Sequence, residues 1–131
     1  MEPDPLKLEN QLCFPLYVAS RLIIREYKPL LDSLGITYPQ YLVLLVLWES
    51  DSVPVSVITD KLLLSTNTVT PLLKRMEELG LLTRTRSQED ERRVIVSLTP
   101  RGAALRAEAV SIPARLVASL QTEDTSAAEL E

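Results

Sequence analysis

Cys13 is the only thiol in this 131-residue chain, and Tyr17 follows it four positions later. A cysteine is a nucleophile only as its thiolate, which a helix N-terminus favours through its dipole and free amides. Pro15 sets a helix start beside Cys13, since proline fits a first turn and kinks an interior. Tyr17, at i+4, shares that helical face and can donate a hydrogen bond to the thiolate. Tyr27 stands fourteen residues from Cys13. At about 100° per residue it points within about 40° of the same face, but at about 1.5 Å per residue it lies roughly 21 Å along the axis. One straight helix cannot bring the two together; a second subunit with its first helix antiparallel can. Against this stands the plainer reading that all three pack in a core, because a lone cysteine on an apolar face is usually an inert small hydrophobe.

A second group carries binding rather than redox chemistry. Thr66, Asn67, Thr68 and Thr70 are short polar residues able to reach base edges or phosphates, and the run continues through Pro71 to Lys74 and Arg75. Arg84, Arg86, Arg92 and Arg93 surround an acidic tip with Asp90, and guanidinium groups suit the negative potential of a DNA minor groove. The net charge of −4 is unevenly spread. Residues 74–106 hold eight Lys/Arg against five Asp/Glu, whereas residues 1–73 hold five against eight and residues 107–131 one against five. Basic charge is thus concentrated where DNA-reading parts would sit. Helix, loop and hairpin arrangements also serve as protein-interaction modules, so an adaptor without DNA is an alternative.

The elements that must position these residues follow from periodicity and caps. Residues 8–34 read as a long helix with a start or bend near Phe14, and Gly35 as its C-cap. Thr37 and Gln40 form a capping box, with Pro39 in the first turn of a helix over about 38–49 that is apolar almost all round and belongs in a core. A turn at 51–54 precedes a short helix, Val55 to Leu63. Ser65 caps a second, 66–79, with Val69, Leu72, Leu73, Met76 and Leu79 as its buried stripe and Gly80 as its stop. Strands at 82–86 and 94–98 enclose the charged tip, and a helix from about 101 is interrupted at Pro113. The fold class is mainly α with a small β-hairpin wing: a winged helix-turn-helix at about 53–98, flanked by helices at about 8–50 and 101–131, in one domain.

Bulk properties exclude other classes. The longest apolar run, Tyr41 to Trp48, is far below the roughly 20 residues that span a bilayer. The acidic start (Glu2, Asp4) is no signal pattern, and one cysteine forms no intrachain disulfide framework, so a cytoplasmic setting and no membrane partner are expected. Without histidine, a transition-metal site is not expected, and no cofactor is implied. A helical peroxidase or thiol enzyme finds no CxxC and no acid–base pair, so the chain is read as not an enzyme.

The stretch from Ser65 to Glu77 (STNTVTPLLKRME), then Gly80-Leu81 and Asp90-Glu91-Arg92, resembles the MarR family of transcriptional regulators. Residues 8–14 (LENQLCF) and 37–41 (TYPQY) are similar to its OhrR-like, organic-hydroperoxide-sensing repressors of the one-cysteine type. The resemblance spans about residues 8–110. It implies a homodimer on a pseudo-palindromic operator in double-stranded DNA, with Asp90 holding Arg92 at the wing tip and the first and last helices dimerising. It also implies that Tyr17 and Tyr27 reach Cys13 across the dimer. An organic hydroperoxide would oxidise Cys13 to a sulfenic acid, a low-molecular-weight thiol would form a mixed disulfide with it, and DNA would be released. Two alternatives stay open: a MarR-type regulator of a small aromatic ligand, and a broader thiol-based oxidation sensor. The chain stops at Glu131 in helix-forming composition, so a longer natural chain would add to the last dimerisation helix and could add a cysteine.

Overall fold

The computed structural model describes residues 4–130, with side chains described to residue 121; Glu2 and Glu131, used above, lie outside the described residues. The chain forms two compact units, residues 31–111 and residues 1–30 with 112–131.

In the larger unit, α2 (Tyr38–Glu49) starts where the capping box predicts. Gln40 N–H donates to Thr37 Oγ1 (3.4 Å), and Thr37 N–H donates to Gln40 Oε1 (2.9 Å). Tyr41, Val43, Leu44, Val46 and Leu47 are buried, so the helix is the centre of this core; only Leu45 among its leucines is exposed. Around it lie β1 (Val53–Pro54), α3 (Val55–Leu62), α4 (Thr66–Glu78), β2 (Leu82–Arg86), β3 (Val94–Leu98) and α5 (Pro100–Ala109). α2 packs against α3, α4 and α5.

The sheet order is β1-β3-β2, all antiparallel. The sequence pattern reads Val53–Pro54 as part of a turn, and this is corrected: the two residues pair with Val96 and Ile95 as an edge strand. Proline is allowed there because an edge strand has one side without a ladder. Asp51 fixes the junction, its Oδ1 accepting the amides of Ser52 (2.7 Å) and Leu98 (2.9 Å). The buried stripe of α4 is narrower than expected: Val69, Leu73 and Met76 are buried, Leu72 and Leu79 half-buried.

Among the described residues, three helices end in the same way. Ile36 N–H reaches Leu31 O, Leu64 N–H reaches Thr59 O, and Leu81 N–H reaches Met76 O, each with the preceding residue left-handed. Gly35 and Gly80 occupy two of those positions, as predicted for a Schellman end, but Leu63 (φ 56°) occupies the third.

In the smaller unit a 3-10 turn at Leu8–Asn10 precedes α1 (Phe14–Asp32), so the first helix is not continuous from residue 8. The helix begins at Phe14, and Pro29 sits inside it without ending it. α6 (Ile112–Leu130) follows a break after α5, with Pro113 in its first turn. Ser119 Oγ donates to Glu26 Oε2 at 2.7 Å, tying α6 to α1. Leu12, Leu16, Tyr17, Leu22, Ile23 and Ile24 are exposed in the single chain.

Candidate nucleic-acid interface and thiol site

Ser65 has extended backbone and its Oγ accepts Thr68 N–H at 3.3 Å, so α4 begins at Thr66. Burial of Val69, Leu73 and Met76 turns the opposite face outward, and Thr66, Asn67, Thr68, Thr70, Pro71, Lys74 and Arg75 are all exposed. Pro71 has no N–H to give, which leaves the Asn67 carbonyl without its helical donor on that same polar face. Arg75 pairs with Glu78 at 3.5 Å. Arg101 Nη1 donates to Leu79 O at 2.8 Å, placing a cation at the negative end of α4.

The wing is β2 and β3 in register from Leu82↔Leu98 to Arg86↔Val94. Leu82, Arg84 and Arg86 share one face of β2 and pass from buried through half-buried to exposed. At the tip, Ser87 Oγ accepts the amides of Glu89 (3.2 Å) and Asp90 (3.3 Å), and Ser87 N–H donates to Arg93 O (2.8 Å). Asp90 Oδ1 accepts the Arg92 amide at 3.0 Å and faces Arg92 Nε at 3.5 Å. The Arg92 side chain is 94% exposed, standing out from a tip organised by its neighbours. Arg93 is exposed, and Arg86 Nη1 donates to Glu91 O at 2.9 Å.

Arg84 is placed differently. It pairs with Glu77 near the end of α4, Nη2 lying 3.4 Å from Oε1, and its side chain is 25% exposed. Glu77, Ser87 and Arg101 were not singled out from sequence. One signal for Glu77 was available: a carboxylate in the last turn of a helix faces the wrong end of the dipole unless a cation or donor compensates it.

In the smaller unit Cys13 is exposed and immediately precedes α1. Its carbonyl accepts Tyr17 N–H at 2.9 Å, the first helical bond, so Cys13 holds the N-cap position. Tyr17 is 59% exposed, and Arg21 lies 5.5 Å from its ring centroid. Tyr27 is half-buried on the same unbroken helix, about fourteen rises of 1.5 Å from Cys13. Cys13 and Tyr17 are thus near in one chain, and Tyr27 is not. Among the described residues no cluster of three metal-ligating side chains occurs, and no helix is long and apolar enough to cross a membrane.

Comparison with known proteins agrees with this geometry. The profile of the transcriptional regulators SarA/Rot matches residues 25–108. The organic hydroperoxide resistance transcriptional regulator of Bacillus subtilis (strain 168) is 56% identical over 114 residues, 87% of this chain and 78% of that protein. The HTH-type transcriptional regulator MgrA of Staphylococcus aureus is 43% identical over 106 residues, 80% of this chain and 72% of that one. Reduced AbfR bound to DNA superposes with a TM-score of 0.75 at 37% identity, covering 95% of this chain and 94% of AbfR. AbfR has also been solved overoxidised on DNA and in a disulfide form. By sequence and by fold, the chain belongs to the MarR and SarA/Rot family of winged helix-turn-helix transcriptional regulators, on its OhrR-like branch.

Proposed function

We propose that the chain is a DNA-binding repressor, active as a homodimer, whose operator affinity is switched off by oxidation of Cys13 by an organic hydroperoxide. The observation that carries the reading is the exposed Cys13 at the N-cap of α1, in a chain so similar to an organic hydroperoxide resistance regulator. The exposed apolar residues of α1 support a partner copy covering them. An antiparallel partner helix would bring its Tyr27 to Cys13, and by the same resemblance Tyr17 also reaches Cys13 across the dimer.

The chemistry balances without a cofactor. The Cys13 thiolate attacks the terminal peroxide oxygen, the O–O bond breaks, and the alkoxide leaves and takes up a proton as the alcohol. Cys13 is oxidised to a sulfenic acid and the peroxide is reduced. With no second cysteine in the chain, a small cellular thiol then displaces water and forms a mixed disulfide. The bulk of that group separates the first helices of the dimer. The spacing of the two α4 helices, which must suit half-sites about one DNA turn apart, then changes. Overoxidised AbfR is DNA-bound, which favours the mixed disulfide as the releasing form.

Thr66, Asn67, Thr68, Thr70, Pro71, Lys74 and Arg75 face the major groove in this reading, and Asp90, Arg92 and Arg93 form the minor-groove tip with Arg86 behind it. The protein acts stoichiometrically in the cytoplasm rather than as an enzyme. Fluorescence anisotropy on a duplex spanning the promoter beside its own gene tests this. Reduced protein should bind, and protein treated with cumene hydroperoxide and a small thiol should not. If Cys13→Ser released DNA under the same treatment, the redox reading would fall.

A further inference from the structure

We propose that Arg84 is a positioning residue, which sets the wing against the recognition helix α4 and does not itself contact DNA. The inference rests on the wing's being a minor-groove element. Glu77, the next-to-last residue of α4, holds Arg84 twice: Oε2 accepts the Arg84 backbone N–H at 2.8 Å, and Oε1 accepts Nη2 at 3.4 Å. Backbone and side chain of one strand residue are therefore fixed by the two oxygens of one helix carboxylate. β2 is an edge strand, so an amide on its outer side has no neighbouring strand to meet; Glu77 takes that amide.

The guanidinium is committed inward. Arg84 is 25% exposed and its Nε is buried with no hydrogen-bond partner among the described residues, whereas Arg92 is 94% exposed. For Arg84 to enter a groove its guanidinium would have to leave Glu77, whose carboxylate, at the negative end of the α4 dipole, would then keep only the Arg84 backbone N–H. The alternation of β2 gives the pair its lever. Leu82 anchors the strand in the core, Arg84 ties its middle to α4, and Arg86 ties its outer end to the Glu91 carbonyl at the tip. The angle at which Arg92 is presented relative to Thr66–Arg75 thus depends on the Glu77–Arg84 pair.

The test uses the full chain on the promoter duplex, with Arg84→Met, Glu77→Gln and the double variant. Anisotropy is read against salt, hydroxyl-radical footprinting reads the minor groove, and dimethyl sulfate protection reads guanine N7 in the major groove. Each single variant should weaken binding roughly tenfold, with the double no weaker than the weaker single, as expected for two residues in one coupled pair. The salt slope should change alike in the two single variants, and wing protection should fade in both while guanine N7 protection persists. Arg84→Lys, which keeps a cation within reach of Glu77, should restore wing protection; it also reads the proposal if Arg84→Met does not fold. A salt slope lower by about one phosphate contact per subunit in Arg84→Met, with Glu77→Gln unchanged, would make Arg84 a direct contact and overturn the proposal. Unchanged binding and footprint in both single variants would overturn it as well. Absence of wing protection in the parent protein would instead defeat the minor-groove reading, and the double-variant comparison would still decide the coupling.

Discussion

Trp48 donates its indole N–H to the carbonyl oxygen of Gly102 at 3.0 Å, joining the end of α2 to the first turn of α5. Gly102 is buried, and a Cβ built on it would fall 2.1 Å from Leu81 O. The obstacle is backbone, which cannot swing aside as a side chain does. Leu81 also lies directly between the end of α4 and β2, where its carbonyl accepts Thr99 N–H at 3.1 Å. Gly102→Ala should therefore cost about 3 kcal/mol of stability by urea unfolding, at the upper end for one overpacked methyl. A loss under roughly 0.5 kcal/mol, the scale of a neutral surface change, would contradict the close approach.

Leu63 makes the opposite prediction. It is left-handed at φ 56° and 89% exposed, in a helix end that elsewhere uses glycine. The left-handed conformation costs a residue with a Cβ roughly 1–2 kcal/mol, partly offset by the greater entropy that glycine loses on folding. Leu63→Gly should raise stability by up to about 1 kcal/mol, visible as a higher melting temperature. A fall in melting temperature would mean that the exposed leucine side chain contributes contacts.

At the wing tip, Asp90 and Arg92 should separate stability from binding. Both are too exposed for their ion pair to contribute much. Asp90→Ala removes the acceptor of the Arg92 amide and should leave unfolding within about 1 kcal/mol of the parent. Operator affinity should fall roughly tenfold with it, and at least as far in Arg92→Ala. Equal affinity in all three proteins would remove the tip from the interface.

Across the dimer, Tyr27 can be tested by mixing subunits. Tyr27→Phe should slow Cys13 oxidation by cumene hydroperoxide by about tenfold, the scale of one lost hydrogen bond to a charged group. In a heterodimer of Cys13→Ser with Tyr27→Phe, the remaining thiol lies on the Tyr27→Phe chain. Its rate returns to the parent value if the partner's tyrosine serves it, and stays slow if its own does.

Much of the architecture was legible because it is encoded locally. Expected strands at 82–86 and 94–98 are Leu82–Arg86 and Val94–Leu98, and the helix expected at 66–79 is Thr66–Glu78. Ser65, the Thr37–Gln40 box and Gly80 each act on backbone groups a few residues away, so adjacent residue types suffice to read them. β1 was not legible, since two residues are too few for an alternation and Pro54 reads as a turn.

By itself the sequence determined that there is one thiol, that the helix carrying the polar residues of 66–75 is capped at its start, that basic charge concentrates in residues 74–106, and that Cys13 and Tyr27 are too far apart to meet along one helix. Those follow from composition, local hydrogen bonding and helix rise. Only the tertiary structure decided which arginines of the wing face outward. Arg84, Arg86 and Arg92 are the same residue type in one charged run, yet Arg84 is turned inward by Glu77, seven residues back on another element. Likewise the crowding at Gly102 comes from Leu81, and the third strand from pairing with Val96 and Ile95. Such partners are set by how the helices and the sheet pack, and the local pattern at most hints at a need for one, as the carboxylate in the last turn of α4 does.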